Sequence, residues 1–559
     1  MRINHFIAGL GLTIFLAGCS STKVITNNNL SKIPVPAGDD VVINLPEKKG
    51  TMSEDEIHAW PHADLATDTI PGMSLAKAYD FVADKKANTV IVGIIDSGID
   101  INHEDLKDQI WVNAKDIPNN NKDEDKNGYV DDVNGWNFLG GAKGADTPEQ
   151  LEVTRLYKKY SEKFDGVDPT SVAAKDKEEY DYFLKIKNDF EKRIAEANEN
   201  YEYYTGLMSM ISEADAAAKA KFGDGYTIEN LNTLPADEQN PLLMKVVSSG
   251  AKVDDVKEQI NGGLDYYGAQ VKNQYNLEFD GRSVTGDNPY DIKDVPYGNP
   301  WVIGSVEKEM HGTHVAGIVL ATRNNNKGMN GVTNHVKLIT ARAVPDGDEY
   351  DKDIALAIRY MADMGAKVVN MSFGKYYSPD AEWVYEAIKY AAAKDVLLVH
   401  AAGNDGKDID LSDNFPTDAP NKVDEITDNV ITIGASTRNY NDKLVASFSN
   451  YGKKNVDLFA PGLEIYSTVP NNEYQQLQGT SMAAPQVAGV AAMIRAYYPQ
   501  LSASQVKHIL MNSGTKIDLE VLLPKAEGKK VPFADLSASG RVLNAYGAVK
   551  MADQMVNGK

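Results

Sequence analysis

The 559-residue chain is 42% hydrophobic and 25% charged, with 57 Lys and Arg against 80 Asp and Glu, one Cys and a formal charge of −23. The apolar share excludes global disorder and the acidity excludes a basic nucleic-acid-binding surface; a lone Cys excludes an internal disulfide and any Cys-based zinc or redox site. At roughly 100–200 residues per domain, the length allows about three domains or one enlarged α/β domain.

Met1–Ser21 carries one Arg, an apolar run from Phe6 to Ala17 and then small residues. This is the pattern of a secretory signal, too short to span a bilayer as a mature helix. The run closes in Leu16-Ala17-Gly18-Cys19, which resembles the bacterial lipobox. That resemblance implies removal of residues 1–18 as a lipoprotein signal peptide and acylation of Cys19. The protein would then be held by lipid in a bacterial cell envelope, at the outer membrane or cell surface, since several acyl chains anchor firmly. An ordinary signal peptide with an accidental Cys is the alternative; the position of the only Cys favours the anchor. Residues 19–50, rich in Ser, Thr, Asn, Pro and Lys and without periodicity, read as a flexible tether. No later stretch is apolar enough to cross a membrane.

Thr89 to Ile95 is a continuous apolar, β-branched run, as expected of a buried parallel strand, and it ends in Asp96-Ser97-Gly98. A carboxylate just past the C-terminal edge of such a strand lies where α/β folds place their sites, although a structural Asp there is as common. Asp123, Asp125, Asn127, the Tyr129 carbonyl, Asp131 and Asp132 then follow the alternate-oxygen logic of a Ca²⁺ loop, with Gly128 for the sharp turn. The Glu of the twelfth position is absent and Asn134 stands there, so an acidic solvated turn is the other reading. Residues 145–300 read as a mainly helical insert. Within it, 22 of the 50 residues from 151 to 200 are charged. Apolar or aromatic residues recur at 183, 186, 190, 194, 197, 201, 204, 208 and 211. These steps of three and four predict one long amphipathic helix paired with a partner as a hairpin. It is either structural decoration or a lid or docking arm.

His311-Gly312-Thr313-His314 places a His at the start of a helix, followed by small residues that permit close packing. Without a Glu after the first His or a third ligand, this HxxH is a poor zinc site. Val396 to Val399 reads as a strand handing over to His400–Gly406, where the Asn404 amide suits an oxyanion or an ordinary turn. Gly479 to Pro485 opens an apolar helix from Val487 to Tyr498. Ser481 would lie at its N-terminus, where unpaired N–H groups and the dipole stabilise negative charge, or would be a plain cap.

The motifs DSG, HGTHVAG, AAGN and GTSMAAP, in the order Asp, His, Asn, Ser, resemble the subtilisin family of serine endopeptidases over about residues 80–145 and 305–550. Val368 to Gly374, Phe459 to Gly462 and Gly540 to Ala545 add to the match. The resemblance implies an α/β fold of three layers with a mostly parallel central sheet, built from residues 51–144 and 301–559, and an enzyme acting on peptide or protein substrates. By motif, Ser481 would be the nucleophile, His311 the general base and then acid, and Asp96 its orienter. Asn404 and the Ser481 N–H would hold the oxyanion, and Ser372, Phe373, Gly374 and Gly403 would bind substrate. His314 is expected to be a packed helix residue, and Gln486, where many relatives carry His, lies outside the triad.

The run from Val133 to Phe138 resembles subtilases with a Ca²⁺ loop after the Asp motif, which supports Ca²⁺ as a structural cofactor. Between Cys19 and Thr89 there is little room for a folded inhibitory prodomain, and Trp60 to Tyr79 reads instead as a segment wrapping the catalytic domain; no C-terminal binding domain is expected after Gly540-Arg541. The acidic residues of loop 405–415 (Asp405, Asp408, Asp410, Asp413) either line the primary pocket and favour basic substrates or face solvent. A non-catalytic surface binding or scaffold protein on the same fold is the competing function. Binding alone gives no physical need for Asp96, His311, Asn404 and Ser481 together.

Overall fold

In the computed structural model, which describes residues 34–38, 46–142, 144–145, 148–305 and 309–558, the apolar run after Thr89 forms strand β1 (Val90–Asp96). Cys19, the signal segment and most of the tether lie outside the described residues. Helix α1 (Leu75–Val82) precedes β1, and strand β2 (Gly135–Asn137) follows it. The insert then contributes α2 (Glu152–Phe164), α3 (Lys177–Phe222) and α4 (Val253–Ala269). The chain continues through α5 (Met310–Leu320), β3 (Val336–Arg342), α6 (Asp351–Asp363), β4 (Val368–Met371), α7 (Ala381–Ala393), β5 (Leu397–Ala401), β6 (Val430–Ser436) and β7 (Leu458–Pro461). It closes with α8 (Thr480–Tyr497), β8 (Thr515–Lys516), β9 (Arg541–Val542) and α9 (Ala545–Asn557).

The nine strands form one sheet in the order β8-β9-β7-β6-β5-β4-β1-β3-β2, parallel throughout except for β8. Helices cover both faces, as a parallel sheet with apolar strands requires. On one face α1, α5, α8 and α9 share a core with Val92, Ile94, Val399 and Ile433; on the other, α6 and α7 pack on Ile95, Val369, Met371 and Leu398. The N-terminal segment does wrap this body. Trp60 is 1% exposed and its indole N–H donates to the Leu463 carbonyl at 3.2 Å, while Met73, Leu75 and Ala78 join the first core.

The stripe read at 183–211 belongs to α3, whose 46 residues extend about 69 Å at 1.5 Å each. Phe183, Ile186, Phe190, Ala197 and Ile211 along it are buried. Helices α2 and α4 run antiparallel to it on either half, with Tyr157 stacked on Phe190 and Phe164 edge-on to Tyr180, then Tyr204 stacked on Tyr267. The far end has small cores of its own around Ile211, Val246 and Ile260 and around Ala218, Leu231 and Leu243.

The near end is joined to the sheet domain by buried charge. Lys375, just beyond β4, lies 2.8 Å from Glu152 of α2 and 2.9 Å from Asp351 of α6, and it donates to the Glu349 carbonyl at 2.7 Å. Arg155 holds Glu152 from the other side at 2.7 Å. A second knot joins Arg282 to Asp353 at 2.5 Å and to Asp287 at 2.8 Å, with Lys352 on Asp287 at 2.6 Å. Burial raises the Glu152 pKa, but Arg155 and Lys375 overcome this and hold it down at about 2. Buried charges in this state persist only as a set, because removing one partner strands the others without water. Lys375→Met should therefore destabilise the protein by about 3–5 kcal/mol in urea unfolding. A change within about 0.5 kcal/mol, the size of an ordinary surface substitution, would show that the insert is not held there.

Candidate active site

Four strand and helix ends meet at the C-terminal edge of the sheet. Asp96 ends β1 and is 1% exposed. Its backbone carbonyl accepts the amides of Ala343 and Val344, which fixes the carboxylate against β3. His311 is the second residue of α5, and its Nδ1 lies 2.7 Å from Asp96 Oδ1, which also accepts the Ser97 amide at 2.8 Å. Helix and loop approach this closely because residue 312 is Gly: a Cβ there would sit 2.0 Å from the Gly98 carbonyl oxygen. Behind the pair, Arg342 donates from Nε to Glu309 at 3.2 Å, and burial pushes the Glu309 carboxyl up to about 7.

The Asp96 bond sets the electronics of His311. With Nδ1–H donated to the carboxylate, Nε2 keeps its lone pair. Desolvation favours the neutral ring, but the charge and hydrogen bond of Asp96 outweigh it, and the pKa lies above 6.5. The side chain is nonetheless 40% exposed, so a reacting group can reach it. His314 is different: 0% exposed, with Nε2 between the carbonyls of Ile465 and Gln475 at 2.9 and 3.0 Å, it is pushed down to about 4 by burial.

Ser481 sits in the first turn of α8, which starts at Thr480, seven residues before the start read from the sequence. Pro485 is inside the helix and has no N–H for the Ser481 carbonyl. That carbonyl accepts the Ser372 hydroxyl instead, at 2.9 Å, so the proline is tolerated and the helix continues. The Ser481 hydroxyl donates to the Ser372 carbonyl at 3.1 Å, and no hydrogen bond joins it to His311 among the described residues. Such contacts tighten only when substrate occupies a site of this kind. Asn404 Oδ1 accepts the Thr480 amide at 2.9 Å and its hydroxyl at 3.1 Å, capping the helix. This leaves Asn404 Nδ2 and the Ser481 N–H as free donors. They converge: a Cβ on Gly479, whose φ is +152°, would lie 3.5 Å from the first and 3.6 Å from the second.

Asp96, His311, Ser372, Phe373 and Gly374 line one cleft of about 540 Å³, together with Pro148 of the insert and residues 344–347 and 349. Gly403 is not on its wall. Its amide donates to the Thr480 hydroxyl at 3.0 Å and so supports the turn before Ser481. The acidic loop after it is likewise turned to structural work: Asp408 accepts the Asp410 amide, Asp410 accepts the amides of Lys454 and Asn455, and Asp413 pairs with Lys185 and Lys422.

The acidic loop 123–132 draws only part of its oxygens together. Asp123 and Asp125 meet Asp116, with ligand atoms within 4.8 Å of one another. Asp116, seven residues upstream, carried no signal in the motif, and its Oδ2 is buried without a partner. Asp131 lies outside this cluster and accepts the amides of Asn120 and Asn121. Asn127 Oδ1 takes the Tyr129 amide, and Asp132 accepts Asn113, Asn127 and the Tyr360 hydroxyl. The Tyr129 ring packs among Trp136, Phe138 and Tyr360. Three carboxylates around an orphaned buried oxygen fit a hard cation bound by oxygen ligands.

Residues 252–548, which hold His311, Asn404 and Ser481, match the subtilase family (Peptidase_S8). The chain is 38% identical over 240 residues to a thermophilic serine proteinase of Bacillus sp. (strain AK1), covering 42% of this chain and 50% of that protein. It is 38% identical over 208 residues to subtilisin DY of Bacillus licheniformis, covering 37% and 71%. It is 37% identical over 217 residues to a cell wall-associated protease of Bacillus subtilis (strain 168), covering 39% and 22%. Thus the chain spans about half the length of the first of these curated relatives.

The Asp96–His311 contact has a direct signature. Titration followed by NMR should place the His311 pKa above 6.5, and Asp96→Asn should lower it, since the charge that opposes desolvation is gone. An unchanged value in the variant would show that the carboxylate does not govern the ring.

Proposed function

The chain belongs to the subtilase family, and on that premise we propose that it is a serine endopeptidase of the bacterial cell envelope. The observation that carries this reading is the 2.7 Å bond from His311 to Asp96, which leaves Nε2 basic in the same cleft that holds Ser372, the partner of Ser481. In the reaction, Ser481 Oγ turns from the Ser372 carbonyl and attacks the carbonyl carbon of an extended peptide while His311 Nε2 takes its proton. Asp96 holds the ring in the required tautomer and stabilises the imidazolium. The oxyanion gathers the Asn404 Nδ2 and Ser481 N–H donors at the positive end of α8. His311 then protonates the leaving amine, and water releases the acyl group by the same steps in reverse order. A fluorophosphonate probe should label the protein and Ser481→Ala should abolish labelling. A folded wild type that resisted the probe as the variant does would favour the binding or scaffold role instead.

Two further parts of the reading concern attachment and stability. Acylation of Cys19 would tether the enzyme to the membrane, a view supported by the lipobox-like sequence. Ca²⁺ would be held by Asp116, Asp123 and Asp125 as a structural ion, supported by their convergence and the unpartnered Asp116 oxygen. Chelation should lower the melting temperature of wild type and leave that of Asp125→Ala unchanged. Identical melting curves for wild type with and without EDTA would remove calcium from the account.

A further inference from the structure

The active-site cleft contains a charge the proposed chemistry does not use. Glu349 lines it, is 3% exposed, and its Oε1 has no hydrogen-bond partner. With Asp346 and Asp96 it makes three carboxylates in the lining, which holds no Lys or Arg. Asp346 Oδ1 accepts the Gln274 amide at 2.9 Å and keeps its other oxygen free for a ligand. Lys375, the nearest cation, donates to the Glu349 backbone carbonyl and spends its charge on Glu152 and Asp351.

The wall that carries Glu349 is held in place from outside the family core. The Glu149 amide donates to the Asp346 carbonyl at 2.9 Å, the Asp348 amide to the Gln150 carbonyl at 3.3 Å, and Arg155 Nη1 to the Asp348 carbonyl at 3.0 Å. The base of the insert thus shapes one side of the cleft, with Pro148 as its outer lip. Ser372–Gly374 line the same cleft, so an extended peptide lying along it passes the carboxylates close to His311.

We infer that Glu349, assisted by Asp346, forms a subsite for a cationic substrate side chain, an arginine or lysine close to the scissile bond in the cleft that Asp96, His311 and Ser372–Gly374 also line. This rests on the endopeptidase reading and adds its substrate class. A guanidinium offers several donors in a fixed fork, which can satisfy the unpartnered Glu349 oxygen and reach Asp346 at the rim, where a neutral apolar side chain would leave both unmet. Burial pushes the Glu349 carboxyl up to about 8, with Lys375 opposing the rise and Asp348 and Asp351 adding to it. An arriving cation would add to the partial compensation that Lys375 gives this carboxylate.

The test is a set of internally quenched peptides with arginine or its neutral isostere citrulline at each of the second to fourth residues before the scissile bond, assayed at pH 9. At one position arginine should be preferred in kcat/KM by about tenfold or more, the scale of one charge-assisted hydrogen bond. Glu349→Gln should bring the ratio below about threefold, and Asp346→Asn, an exposed site that cannot disturb the interior, should lower it part of the way. Because the readout is a ratio, general damage to folding does not mimic the effect. Equal rates for both peptides at every position, or a ratio unchanged in Glu349→Gln, would overturn the subsite. Binding of the same peptides to Ser481→Ala, read by fluorescence anisotropy, keeps the two readings apart. Arginine-selective binding without hydrolysis by wild type would overturn the endopeptidase and keep the subsite; hydrolysis without selectivity would do the reverse.

Discussion

Helix α8 is apolar on all sides, and a helix of that kind has no stable place but the interior. Of its 18 residues 16 are buried, packed between the sheet and α5. Everything at the candidate site is arranged around its N-terminus. The turn before it favours Gly479, whose φ of +152° is a conformation that side chains rarely adopt. Asn404 caps the helix with one amide atom and holds the other beside the Ser481 N–H. Pro485, which would break a helix lacking another donor for the Ser481 carbonyl, instead leaves that carbonyl to Ser372 and so joins Ser481 to a residue that lines the cleft. The same burial that stabilises the fold therefore sets the position of the reacting oxygen.

A second constraint acts on charge. The helical insert could have been joined to the sheet domain by apolar contact alone, yet its base is fastened by Lys375, Glu152, Arg155 and Asp351, and by Arg282, Asp353, Asp287 and Lys352. Ion pairs of this kind recover their desolvation cost only when each group has several partners in good geometry. That requirement gives the junction a single arrangement. Since Lys375 directly follows the Ser372–Gly374 segment and its partners flank residues 346–349, the insert's base and the walls of the cleft are one rigid unit. The far half of α3 carries separate small cores and a buried carboxylate of its own, Asp215, held by Lys219, Lys257 and the Tyr226 hydroxyl. The structural role read for the insert thus describes its base, while the distal arm projects from it.

Much of the site was legible in sequence because its signals are local. An apolar β-branched run ending in Asp96, a small-residue helix opening on His311 and the turn residues around Asn404 and Ser481 each state their own geometry within about ten residues. The long stripe of α3 was readable for the same reason, since its period is local. What escaped was non-local. Asp116 meets Asp123 and Asp125 only after the intervening turn folds back, while Asp131 is drawn off by the amides of Asn120 and Asn121. The acidic run at 405–413 reads as either pocket lining or solvent-facing surface; in the fold Asp408, Asp410 and Asp413 are engaged by backbone amides and by lysines of other segments. Glu349, with no motif around it, became a cleft residue only through the contacts of residues 346–349 with the insert.

By itself the amino-acid sequence determined the main elements, the family and the motifs that carry the candidate site residues, because hydrophobic period, turn chemistry and motif spacing are properties of short stretches of chain. Tertiary structure decided which carboxylates are paired, which are left to meet a ligand and which residues line the cleft. Those outcomes depend on desolvation and on partners brought together from distant segments, as with Lys375 between Glu152 and Asp351. The −23 charge is the clearest case: as a total it excluded a partner class, but only burial and distance sort its carboxylates into fasteners of the insert, the convergent Asp116, Asp123 and Asp125, and the acidic lining beside His311.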